Sequence, residues 1–167
     1  MQTNSIATYT KQRVSNHQVA AVFKNQNDHH QSLHAMVSLK PGEVISKFTE
    51  GITQNFATYL TIQTGTDTHI TLVPEFLQFT NHSCNPTAFF DTTNMELVCL
   101  EPLQEGDEIT FFYPSTEWEM AQPFVCNCGN KDCLQLINGA AHLSIQTLSK
   151  YRLTNFIKQQ VIQKLSL

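Results

Sequence analysis

Three of the five cysteines stand in one short run, Cys126-Asn-Cys128-Gly-Asn-Lys-Asp-Cys133, and thiols held so close in sequence must be bridged, metal-bound or left free. Thiolates are soft ligands that suit tetrahedral zinc, and two cysteines one residue apart beside a Gly129 turn reach one metal without strain. Three ligands leave a tetrahedral site one short. Cys84, embedded in Asn81-His82-Ser83-Cys84-Asn85-Pro86, is the natural fourth, so that one zinc would tie the tail of the chain to its middle. The alternatives are disulfides or free thiols. Disulfides want pairs and an oxidising compartment, and an odd number leaves one cysteine over. The expected ligands of a structural zinc are therefore Cys84, Cys126, Cys128 and Cys133.

A chain of 167 residues, 41% of them apolar, can bury one sizeable core. Its net charge of −4 and pI near 5.9 give no basic field of the kind that attracts polyanions. No direct nucleic-acid partner is expected, and no membrane, because neither a signal-peptide core nor an apolar run of spanning length occurs. The expected location is cytoplasmic, with the nucleus left open. Oligomeric state is not legible.

Short runs rich in β-branched and aromatic residues fill the first two thirds, at 19–23, 33–37, 43–49, 59–64, 69–73, 87–91, 96–100 and 108–113. Turn chemistry separates them: Pro41-Gly42, Thr64-Gly65-Thr66-Asp67, Asp91-Thr-Thr-Asn94 and Glu105-Gly106-Asp107. A mostly β fold of several small sheets follows. Beyond Cys133 the pattern changes, since Ser144 can cap a short helix and Leu153, Phe156, Ile157, Val161 and Leu165 recur at helical spacing. The segment 25–31 is polar enough to be an exposed loop.

Between the apolar stretches 76–79 and 88–90, the run Asn81–Pro86 sets a compact polar loop inside a hydrophobic frame. Asn and His are costly to bury without hydrogen-bond partners. Downstream come Leu103-Gln-Glu-Gly-Asp-Glu-Ile-Thr-Phe-Phe-Tyr113 and then the cysteine-rich tail. Three motifs in this order resemble the SET-domain protein-lysine methyltransferases with a post-SET zinc motif. The resemblance extends upstream to Leu33-His-Ala-Met-Val-Ser-Leu-Lys-Pro-Gly-Glu-Val-Ile45 and covers roughly 23–137.

The resemblance implies a SET fold in which the Asn-His-Ser-Cys segment threads beneath a later loop to form a pseudoknot-like active site. It implies a SET domain over 1–117, a post-SET zinc segment over 118–140 and a C-terminal helical tail over 141–167. S-adenosylmethionine would be the methyl donor, and the partner a protein or peptide presenting a lysine. Ser32, Leu33, His34, Asn81, His82, Tyr113 and Leu136 would face the cofactor. Tyr113 would be the catalytic tyrosine, with Tyr59 beside it, and Phe89, Phe90, Phe111, Phe112 and Trp118 would be further channel walls. Cys99 matches no ligand and reads as a buried small hydrophobe. A second reading, a non-catalytic zinc-binding scaffold or peptide-interaction module, rests on His30-Gln31-Ser32 standing where the family has Gly-x-Gly.

Overall fold

Short alternating segments bounded by turns cannot pair with themselves, so this chain distributes them over four small sheets in a computed structural model that describes residues 11–166. In chain order the first strands are β1 (Lys11–His17), β2 (Ala20–Asn25), β3 (Gln31–Ala35), β4 (Val44–Lys47), β5 (Thr49–Gln54), β6 (Thr61–Gly65) and β7 (Thr68–Val73). There follow β8 (Asn81–His82), β9 (Ala88–Asp91), β10 (Glu96–Cys99), β11 (Thr110–Phe111), β12 (Phe124–Val125) and β13 (Leu136–Ile137). Helices α1 (Ile145–Leu148) and α2 (Asn155–Leu165) close the chain. The sheets run β1-β2-β3, β5-β7-β6, β12-β13 and β4-β10-β9-β11-β8.

The largest sheet carries the chemistry. Its β9 and β10 pair antiparallel, Phe90 opposite Leu97, whereas β8 lies parallel to β11 with Asn81 opposite Thr110 and His82 opposite Phe111. Leu33, Ile70, Phe90, Leu97 and Ile109 are fully buried where the sheets meet. Within the expected strand at 108–113, Glu108 makes a single antiparallel bridge to His34 before β11 forms over Thr110–Phe111, and the strand ends where the chain enters a single 3-10 turn at Tyr113–Ser115, Pro114 having no amide to give a ladder. The polar run expected to be a loop begins with β8. Four further strands, β1, β5, β12 and β13, lie outside the expected runs, β5 but for its first residue; β1 and β5 are exposed and polar, and owe their extension to the partner strand.

The tail folds as its pattern implies. Ser144 caps α1 by accepting from the Thr147 amide at 3.1 Å, and Thr154 caps α2 through Ile157. Leu153 and Ile157 pack under Phe112 and Leu148, while Leu165 is 61% exposed because the stripe runs past the edge of the core. Phe112 stacks on Tyr151 at 3.6 Å, and the Tyr151 hydroxyl donates to the Cys84 carbonyl at 2.9 Å, so the tail is fastened to the segment that follows β8. No helix among the described residues is long and apolar enough to cross a membrane.

Candidate active site and metal centre

Backbone pairing assembles the site. The Ser83 amide donates to the Phe111 carbonyl at 3.0 Å, and the Tyr113 amide donates to His82 Nδ1 at 3.2 Å. With Nδ1 accepting, the imidazole carries its proton on Nε2, which points at Cys84 Sγ at 3.3 Å. Burial lowers the His82 pKa to about 4, so the ring is neutral near pH 7. Asn81 Nδ2 donates to the Gln31 carbonyl and to Glu108 Oε1, both at 3.0 Å, and its Oδ1 has no protein partner among the described residues.

Two clefts meet at this pairing. The first, of 520 Å³, is walled by Tyr59, Ile62, Leu77, Phe90, Phe111 and Glu117; the second, of 910 Å³, by Lys11, Asp28, Ser32, His82, Glu108 and Cys128. His30, Asn81, Tyr113 and Phe124 line both. Burial, reinforced by the charges of Glu108 and Glu117, pushes the Tyr113 phenol up to about 12. The phenol therefore stays protonated across the neutral range, a hydrogen-bonding group and not a base. Glu117 is 7% exposed, and its Oε1 accepts from the Gln63 amide and the Thr116 hydroxyl, each at 3.1 Å. Burial pushes its carboxyl up to about 7 against those two hydrogen bonds.

Of the residues expected to face the cofactor, Ser32, Asn81, His82 and Tyr113 come together around the second cleft. Leu33, His34 and Leu136 are not among its walls or those of the first. Leu33 is wholly buried in the core. His34 is buried, its Nδ1 donating to the Gly106 carbonyl at 2.8 Å and its Nε2 accepting from Ser32 Oγ at 2.8 Å and Lys11 Nζ at 3.2 Å. Leu136 is half exposed on β13. Tyr59 is 80% exposed at the first cleft, whereas Trp118 packs toward the C-terminal cluster with Lys164 above its ring. Lys11, Asp28, Glu108, Glu117 and Phe124 were not singled out by sequence. The only trace of Glu117 was a lone acid in the otherwise uncharged stretch 111–118.

The four expected metal ligands converge: the sulfurs of Cys84, Cys126, Cys128 and Cys133 all lie within 4.8 Å of one another. Cys84 and Cys126 are 3.9 Å apart, close to the edge of about 3.8 Å that a tetrahedron with Zn–S bonds of about 2.3 Å requires. The Leu134 amide donates to Cys84 Sγ at 3.4 Å, a bond suited to a thiolate. Burial pushes the thiols of Cys84 and Cys126 up, and it opposes ionisation of Cys128 too, but hydrogen bonds from Asn130 outweigh it and draw Cys128 down. Four thiolates this close repel one another, and a divalent cation at their centre removes that penalty. The donor set fits zinc. Cys99 sits apart in β10, buried, with Sγ donating to the Glu101 carbonyl.

A parallel pair carrying Asn81 and His82 thus leads to a tyrosine at the junction of two clefts, with a cluster of four cysteines beside them. The SET-domain family model matches residues 5–114, and the chain belongs to that family of methyltransferases, whose methyl donor is S-adenosylmethionine. It is 38% identical over 157 residues to "Methyltransferase flvH" of Aspergillus flavus, spanning 93% of this chain and 88% of that protein. It is 33% identical over 75 residues to a histone-lysine N-methyltransferase, H3 lysine-36 specific, of Debaryomyces hansenii, covering 41% of this chain and 10% of that one. The Candida albicans protein of the same description is 35% identical over 68 residues, 37% of this chain and 8% of its own.

The Glu117 carboxyl makes stability depend on pH in a defined direction. Its folded pKa near 7 exceeds its ordinary 4.5, so between those values the folded chain holds a proton that the unfolded chain has released. This contribution is complete below pH 4.5 and is lost as pH rises through 7. Urea unfolding at about pH 5 and about pH 7.5 should show wild type losing more stability than Glu117→Gln across that interval; parallel losses would remove Glu117 from the balance.

Proposed function

We propose that this chain is an S-adenosylmethionine-dependent N-methyltransferase acting on the side-chain amine of a lysine in a protein or peptide, with one structural zinc in the cysteine cluster. The observation that carries the reading is the meeting of two unlike clefts at Tyr113. The second cleft mixes a cation, Lys11, with the acids Asp28 and Glu108 and with the free Oδ1 of Asn81, which suits a zwitterionic donor. When bound, the donor supplies an electrophilic methyl on a sulfonium.

The protein's task is alignment. A lysine in water is protonated, with a pKa of about 10.4. Ile62, Leu72, Leu77, Phe90 and Phe111 line the first cleft and strip water from an incoming chain, which disfavours the ammonium. Tyr113, held by its backbone bond to His82, offers its oxygen to an N–H of the neutral amine and leaves the lone pair free to point toward the second cleft. Tyr59 stands exposed at the first cleft, where it can contact the rest of the substrate. The two relatives described as H3 lysine-36 methyltransferases support a lysine acceptor.

Tyr113→Phe keeps the ring against Phe111 and Phe124 and deletes one oxygen. Single-turnover methyl transfer should fall on the order of a hundredfold while S-adenosylhomocysteine affinity is kept; turnover within a few-fold of wild type would exclude the hydroxyl from the chemistry. Metal analysis should return one zinc per chain. Cys84→Ser should lower zinc content and melting temperature, and Cys99→Ser should leave the zinc in place; the reverse pattern would overturn the ligand set.

A further inference from the structure

We propose that Glu117 is the anionic seat of the first cleft, receiving the substrate's amine as an ammonium ion on the carboxylate oxygen that the protein leaves free. This rests on the first cleft being the amine cleft. Oε1 is held by the Gln63 amide and the Thr116 hydroxyl, while Oε2 has no protein partner among the described residues. The residue is 93% buried, since only 7% is exposed, yet it forms part of the cleft wall together with Tyr113. The Glu117 amide donates to the Tyr113 carbonyl at 3.1 Å, and both residues line the first cleft, so the carboxylate is anchored one turn after the tyrosine.

The alternative role is a clasp. Glu117 pins the turn after Tyr113 to β6, and Trp118 completes the clasp by donating its amide to Gln63 Oε1 at 3.0 Å. Accepting one amide and one hydroxyl needs only a carbonyl oxygen, which glutamine has, so the clasp does not call for the charge. A buried carboxylate without a cation is expensive. The ion pairs among the described residues are Lys47–Glu96 and Arg152–Asp91, and neither reaches Glu117. A ligand ammonium is the cation this site lacks. Once water is excluded, the proton can pass from nitrogen to Oε2: the N–H bond breaks, the O–H bond forms and its electron pair stays on nitrogen as the lone pair that methyl transfer needs.

n-Butylammonium chloride, a mimic of the lysine side chain, and neutral 1-pentanol of similar shape provide the test, titrated by NMR into the full chain. Wild type should bind butylammonium at least tenfold more tightly than pentanol, and Glu117→Gln should weaken butylammonium at least tenfold while leaving pentanol unchanged. Equal affinity of wild type for the two probes would overturn the proposal, and that comparison stands even if the variant does not fold. Butylammonium binding unaffected by Glu117→Gln would overturn it as well. Methyl transfer with a KM unchanged in Glu117→Gln would keep the methyltransferase and discard the seat. A Glu117-dependent butylammonium site in a protein that methylates no amine would keep the seat and discard the methyltransferase reading.

Discussion

Parallel pairing of Asn81–His82 with Thr110–Phe111 brings together segments far apart in the chain, and Cys84, Glu108, Tyr113 and Glu117 all follow or precede it by a few residues. Parallel neighbours cannot be joined by a tight turn, so the chain must leave β8, run through β9 and β10, and return as β11. The return sets Tyr113 against His82, because the Tyr113 amide is satisfied by the imidazole and not by another strand. A slip of one residue would turn Asn81 and His82 to opposite faces and lose both the amide bridge to Glu108 and the His82–Tyr113 bond. Register at two short strands therefore fixes the junction of the clefts.

The cysteine cluster acts on the same junction from the other end. Cys84 follows β8 at once, and its sulfur, its carbonyl and the neighbouring His82 ring are each engaged, by the Leu134 amide, the Tyr151 hydroxyl and the Tyr113 amide respectively. Cys126 follows Phe124 closely, and Phe124 lines both clefts and packs edge-on against His82 and Tyr113. Gathering the four sulfurs thus brings a wall of both clefts into place. An isolated tail of this length would have few buried side chains of its own to fold around.

Much of this was legible because it depended on residue type and order. The thiolates announce a metal by chemistry, and their partner Cys84 follows from the need for a fourth ligand. Ser144 and the 153–161 stripe declare the tail through local helix rules. What stayed hidden depended on partners distant in sequence. β1 and β5 carry polar sequences that extend only because β2 and β7 offer a ladder. Leu33 and His34 neighbour Ser32 in sequence, yet β3 is covered on both faces, so Leu33 enters the core and His34 is locked to Gly106 while Ser32 reaches the second cleft. Leu136 pairs opposite Val125 and faces outward. Nothing local in sequence marks Glu117 as buried, because its burial depends on β6, whose Gln63 lies 54 residues earlier in the chain.

The account stands on the division of labour between the two clefts, with Tyr113 at their common wall. A crystal structure of the protein with S-adenosylhomocysteine tests that division most directly. The ligand should occupy the second cleft, with its amino-acid end among Lys11, Asp28 and Asn81 and its sulfur directed past Tyr113 toward the first cleft. Density for the ligand in the first cleft, or a sulfur directed away from Tyr113, would contradict it.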